Sequence, residues 1–139
     1  MKKQYDVIII GAGPAGIFTA IELTRLNSAL NVLILDTGRQ IDKRKCPARV
    51  TGKCVHCTPC AIVSGWSGAG AFSDVKLSLS QEVGGHITDY LGREKAAELI
   101  RYADSIYCDF GASNEVHGLN DKKVDEIRYE CSRPNIELV

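Results

Sequence analysis

Tyr5-Asp-Val-Ile-Ile-Ile-Gly-Ala-Gly-Pro-Ala-Gly16 is the stretch from which the fold of this 139-residue chain is read. Val7 to Ile10 is an unbroken apolar run rich in β-branched residues, which predicts a strand buried on both faces. It ends in a G-x-G-x-x-G turn, Gly11 to Gly16. A helix is predicted from Ala15 to Asn27, with Ile17, Ala20, Ile21 and Thr24 on one face. A second apolar run, Val32 to Leu35, then closes on Asp36. Strand, glycine turn, helix and strand follow in the order of a βαβ unit.

The turn residues suit a pyrophosphate. Gly11 permits the tight turn, Gly13 allows backbone to approach the phosphates, and Gly16 lets the helix pack on the strand. Ala12 and Ala15 between them belong to the expected cofactor-binding positions. Pro14 fits the first helical turn, where its missing N–H has no intrahelical partner to lose. The free N–H groups and the positive helix end face the anion. Asp36 follows Gly16 by 20 residues, where an acid is needed for a ribose hydroxyl. Thr37 and Arg39 directly after it join the expected cofactor-binding positions. A lone glycine turn is a weak signal, and the surrounding βαβ pattern with its terminal acid is what makes it specific.

The totals narrow the class. With 45% apolar and 24% charged residues the composition is that of an ordinary globular domain. Lys+Arg and Asp+Glu are both 17, so no net field attracts nucleic acid or an anionic membrane. Lys2-Lys3 before apolar residues resembles a secretory leader, but Asp6, the glycine turn and Glu22 interrupt the run. No segment reaches the ~18 apolar residues of a membrane span. A cytoplasmic setting is expected, with the six cysteines reduced.

Residues 1–36 are read as the βαβ unit. From Thr37 to about Ser80 periodicity gives way to glycine, proline, cysteine and basic residues, and a loop of that length inside a domain is usually functional. Its run Arg39 to Arg49 carries five Lys/Arg, by default a solvated loop and in a sharper reading a contact for cofactor phosphates. Helical periodicity returns at Arg93 to Cys108, with Ala96, Leu99, Ile100, Ala103 and Tyr107 on one stripe. Asp121 to Cys131 predicts a further helix, with Val124, Ile127 and Tyr129 apolar, ended by Pro134. Ile136 to Val139 reads as the start of a third strand. The expected fold is therefore α/β, a Rossmann-like parallel sheet binding FAD or NAD(P), incomplete as it stands. Val7 to Ile10 lacks a second neighbour, so the chain is expected to be the N-terminal part of a larger FAD-binding protein.

Cys54-Val-His-Cys57-Thr-Pro-Cys60 sets three thiols at C-x-x-C-x-x-C spacing, with Cys46 eight residues earlier. Thiolates at this spacing can converge on zinc or an iron–sulfur cluster. Ser64 stands where a ferredoxin-like run has its fourth cysteine, so Cys46 would complete the set. A c-type haem is excluded because Thr58 follows Cys57. Redox thiols exchanging electrons with a flavin, and a plain reduced loop, are the other readings. Cys108 and Cys131 read as small core residues; His56 reads as a loop residue, with metal ligation as its alternative, and His86 and His117 carry no visible partner in the sequence. The second informative stretch is Ser64 to Asp74. Gly65, Gly68 and Gly70, with Ala69 and Ala71 between them, allow backbone to lie against a flat or phosphorylated ligand. Trp66 and Phe72 in the run argue for packing rather than a linker, and Asp74 for a polar anchor or a turn cap.

Taken together, these residues resemble a family of bacterial FAD-dependent dehydrogenases within the two-dinucleotide-binding flavoprotein superfamily. The resemblance rests on Asp6 to Gly16, Gly38 to Arg44, Cys46-Pro-Ala-Arg49 and Gly52 to Cys57. It continues through Gly68-Ala-Gly-Ala-Phe-Ser-Asp74, Lys76 to Ser80 and Glu82-Val-Gly-Gly85, and so covers nearly the whole chain. It implies FAD, with its pyrophosphate over Gly11 to Gly16, its adenosine ribose on Asp36 and loop 65–71 near the flavin. Ser67 and Val75 stand where such proteins have glycines. Members of the family are several times longer, with a substrate region and a C-terminal Gly-Asp segment that completes the FAD site. The resemblance thus implies that this portion alone is not active.

The functional expectation is the FAD-binding portion of a flavin-dependent oxidoreductase, with NAD(P) as an electron partner. Two rivals stand beside it. One is an NAD(P)-binding domain, in which Asp36 favours NAD and Arg39 suits a 2′-phosphate. The other is a cysteine-ligated metal or iron–sulfur module on a βαβ scaffold. No catalytic acid or base is assigned.

Overall fold

Strand β1 (Val7–Ile10) and strand β2 (Val32–Leu35) form because each is four apolar residues with no polar interruption, and each finds the other as partner. They pair in parallel, Val7 against Val32 through Ile10 against Leu35. Parallel pairing requires a crossover, and helix α1 (Pro14–Leu26) supplies it and packs on both strands. The structure, a computed structural model, describes residues 4–73, 76–118 and 122–132. It is mixed α/β, with a two-stranded parallel sheet and helices.

Both ends of the unit are tied by polar contacts. At the start, the Asp6 carboxylate accepts the Asn31 N–H at 2.8 Å, and the Asp6 N–H donates to the Asn31 carbonyl at 3.0 Å. At the end, the Gly11 N–H donates to the Leu35 carbonyl at 2.7 Å. Helix α1 begins without a side-chain cap, with Pro14 in its first turn, and Arg25 sits in its last turn near the negative end. Its face Ile17, Ala20 and Ile21 is half-buried, and Thr24 is exposed.

The expectation that β1 is buried on both faces is corrected. Val7 and Ile9 are half-buried, whereas Ile8 and Ile10 are 55% and 80% exposed. Side chains alternate across a strand, and α1 covers one face only. Among the described residues no third strand joins the sheet. The expected strand at Ile136 to Val139, the helix stop at Pro134 and the anchor Asp74 lie outside the described residues.

The chain divides into two compact units, Met1–Lys76 and Leu77–Val139. In the first, the segment after β2 turns through a short 3-10 turn (Ile41–Lys43), helix α2 (Ala48–Thr51) and a second 3-10 turn (Gly68–Phe72). In the second unit, helix α3 (Ile87–Asp109) starts six residues before the predicted Arg93, because the chain continues through a kink at Gly92. Its buried residues are Ala96 and Ile106. Tyr107, placed on the apolar stripe by its spacing, is 40% exposed; a tyrosine keeps its polar tip toward water, and the smaller Ile106 takes the buried place. Helix α4 (Lys122–Ser132) follows, with Ile127 and Tyr129 exposed.

Candidate functional site

Three segments of the first unit are pinned together at the end of the sheet. The first is the glycine turn. Gly11 has φ +107, a left-handed conformation that favours glycine. A Cβ on Gly16 would run into the Gly11 carbonyl, so that glycine is fixed by helix packing. The second segment is Asp36 to Arg39. The Asp36 carboxylate accepts the N–H of Ala12 at 2.8 Å and of Gly38 at 2.7 Å. These bonds to Ala12 and then Gly38 hold the Asp36 carboxyl below its ordinary value; slight desolvation opposes them, and the Gly65 N–H and the Arg44 charge add to them. Ala12 and Gly38, with Gly65 contributing, leave at least one of the carboxylate's roughly four acceptor positions for a ligand hydroxyl.

The third segment is the second glycine loop. Its Ser67 N–H donates to the Ala12 carbonyl at 2.7 Å, and the Trp66 N–H to the Arg39 carbonyl at 3.1 Å. Arg39 and Gly65 form an isolated parallel bridge. A Cβ on Gly38 would collide with Ser64 and Gly65, and one on Gly68 would meet Gly13 Cα at 3.4 Å. Ser67 and Gly68 therefore lie against Ala12 and Gly13, although over 50 residues separate them in sequence. Ala69 and Ala71 fall in the 3-10 turn with Gly68 and Gly70. Ser67, which occupies a position where glycine was expected, has φ +69.

The residue that sequence reasoning passed over is Arg44. It is 4% exposed. Its guanidinium donates to three carbonyls, Ala61 at 2.9 Å, Trp66 at 2.5 Å and Ile62 at 2.6 Å. It also lies over the Phe72 ring at 4.7 Å, with Arg49 over the same ring at 4.8 Å. A planar fork of five donors can gather carbonyls that have no secondary-structure partner. Arg44 thus organises the loop from Ala61 to Phe72. Nothing in its spacing separates it from Lys43 and Lys45 beside it.

A cavity of about 280 Å³ opens at the end of the strands, lined by Ile10, Gly11, Leu35, Asp36 and Thr37. Pro14 and Ala15 stand beyond it in the first turn of α1. Of the chain's 13 glycines, eleven are accounted for by a left-handed backbone or by a collision that a Cβ would cause. Gly13 and Gly70 have neither: a Cβ on either would meet nothing within 4 Å, and neither backbone needs a glycine. One belongs to each of the two glycine loops.

The cysteines present a different picture. Cys54, Cys57 and Cys60 are exposed and Cys46 is half-buried. Among the described residues no group of three or more Cys, His, Asp or Glu side chains is gathered as a metal would require. The donor set Cys46, Cys54, Cys57 and Cys60 therefore does not fit a metal or cluster as it stands. The Cys60 thiol is held below its ordinary value by the N–H groups of Ile62 and Val63, against slight desolvation and with help from Arg44. Among the described residues no helix is long and apolar enough to cross a membrane.

No protein-family model matches the chain, and no solved structure does. Among curated proteins it is 43% identical over 61 residues to dihydrolipoyl dehydrogenase of Cupriavidus necator, covering 42% of this chain and 12% of that protein. It is 31% identical over 102 residues to digeranylgeranylglycerophospholipid reductase of Methanosarcina mazei, covering 68% of this chain and 25% of that protein. An uncharacterised protein of Methanosarcina barkeri is 43% identical over 51 residues, 37% of this chain and 13% of that protein. The chain thus spans between an eighth and a quarter of the length of these relatives. By their names, two of the three similar proteins are oxidoreductases.

Proposed function

We propose that residues 1–76 are the dinucleotide-binding part of a flavin-dependent oxidoreductase, holding FAD on a Rossmann-like βαβ unit. The observation that carries this reading is the pair Gly13 and Gly70, whose missing side chains serve no purpose within the chain. Space kept clear of Cβ atoms on two loops that meet through Ser67 and Gly68 is what a closely approaching ligand requires. Gly11 to Gly16 would cradle the pyrophosphate with the N–H groups at the start of α1. Asp36 would accept a ribose hydroxyl with a remaining acceptor position. Gly68 to Ala71 would line the approach toward the isoalloxazine.

The flavin, when bound, would supply the hydride or electron chemistry. The chain's own residues bind, orient and exclude water. The similarity to a dehydrogenase and a reductase supports oxidoreductase chemistry. The substrate and the reaction of the whole protein would depend on residues beyond those that bind the dinucleotide.

Gly13→Val provides the test. Its backbone is extended, with φ −77, and its Cβ meets no protein atom, so the variant should still fold, with wild-type far-UV circular dichroism. FAD affinity should fall by tenfold or more, about 1.4 kcal/mol. Unchanged FAD affinity in a folded Gly13→Val chain would refute the cradle. Analysis of the cofactor released on denaturation separates FAD from NAD(P).

A further inference from the structure

A second cavity, of about 220 Å³, opens beside Gly38 on the basic run that follows β2. It shares no lining residue with the cavity at Asp36. Its charge is one-sided: Arg39, Lys43, Arg44 and Lys45 line it, and no Asp or Glu does. Arg44 is engaged with three carbonyls and contributes mainly its charge. The other three stand in none of the ion pairs found among the described residues, such as Arg25 with Glu22, Arg93 with Glu82 and Lys95 with Glu98. Asp42, the only acid between Arg39 and Arg49, does not line the cavity.

Four cations around one concavity repel one another, and an anion placed among them relieves that repulsion. The remaining walls include Pro47, Pro59 and Ala61, which carry no competing charge and concentrate the field. Thr58 and Ser64 also line it. At about 220 Å³ the cavity has room for one phosphate with a small substituent.

We infer that this cavity is a phosphate-monoester site, separate from the pyrophosphate cradle of the glycine turn. The inference stands independently of which dinucleotide binds at Gly13. The phosphate has two sources to distinguish. It belongs either to a free phosphorylated small molecule or, where NADP takes the place of FAD at Asp36, to the 2′-position of that dinucleotide; FAD carries no such phosphate.

The test is calorimetric titration of the full chain with inorganic phosphate at about 0.15 M salt, where diffuse attraction is screened. Saturable binding at one site is expected. In the double variant Lys43→Ala, Lys45→Ala it should weaken by about tenfold or more, since two charges facing the anion are removed. Both lysines are exposed, so the double variant should retain the wild-type far-UV circular dichroism. Gly13→Val should leave phosphate binding unchanged, which separates this site from the dinucleotide cradle. If NADP binds more tightly than NAD and the double variant erases the difference, the phosphate is a dinucleotide's. If NADP and NAD bind alike while inorganic phosphate still depends on the lysines, it belongs to a separate small molecule. Absence of saturable phosphate binding, or binding that the double variant leaves intact, overturns the inference.

Discussion

Arg44 shows how one side chain can decide a loop. Replacing it with Lys keeps the charge but loses the fork that reaches Ala61, Ile62 and Trp66 together. We expect Arg44→Lys to destabilise the first unit by about 2 kcal/mol or more, measured by urea denaturation. Asp36 supports the same junction from the other side. In Asp36→Ala the N–H of Ala12, a residue with no exposed surface, loses its acceptor, a loss of about 1–2 kcal/mol. The sign with pH follows from its lowered value. A carboxylate more acidic in the folded state stabilises above its ordinary value of 3.8 and loses that contribution as pH falls through the folded value. The stability gap between wild type and Asp36→Ala should therefore be full near neutrality and close in acid, as melting curves across that range would record. Gly70 carries a prediction of opposite signs. Alanine there should slightly stabilise the chain without cofactor, because glycine gives up more backbone entropy on folding, while weakening FAD binding.

At the scale of elements, the βαβ unit was legible and its surroundings were less so. Val7 to Ile10, the glycine turn and Val32 to Leu35 announce themselves because their signals are local: β-branched runs, a spacing of glycines and a terminal acid. The docking of Ser67 and Gly68 on Ala12 and Gly13 was not legible, since hydrogen bonds such as Ser67 to Ala12 leave no periodic trace. Nor was the role of Arg44, which has the sequence appearance of any surface cation. The burial of β1 was overestimated because an apolar run reports what a strand can bury, not what covers it. Ser67 tests the loop geometry directly. Its φ of +69 costs a non-glycine residue about 1–2 kcal/mol, so Ser67→Gly should raise the melting temperature, net of glycine's own entropy. In α3, Gly92 has φ +74 and ψ +163, a region open essentially to glycine alone. Gly92→Ala should destabilise the second unit by about 1–3 kcal/mol, read from the loss of helical circular dichroism on heating.

At the scale of the molecule, the sheet leaves Ile10 and Leu35 exposed in the lining of the cavity beside Asp36. An apolar rim of that kind suits the flat adenine of a dinucleotide, and a ligand that binds only the folded state stabilises it by mass action. The two compact units divide the work unevenly. Every candidate cofactor residue, and the cysteine-rich loop, falls within Met1–Lys76. The most direct measurement is the visible absorption spectrum of the purified chain after incubation with FAD and removal of the free cofactor. We expect flavin bands to remain with the protein and FAD to be released on denaturation, with both lost in Gly13→Val. A folded chain that stays colourless and retains no FAD would contradict the assignment of Gly11 to Gly16 as a flavin dinucleotide cradle.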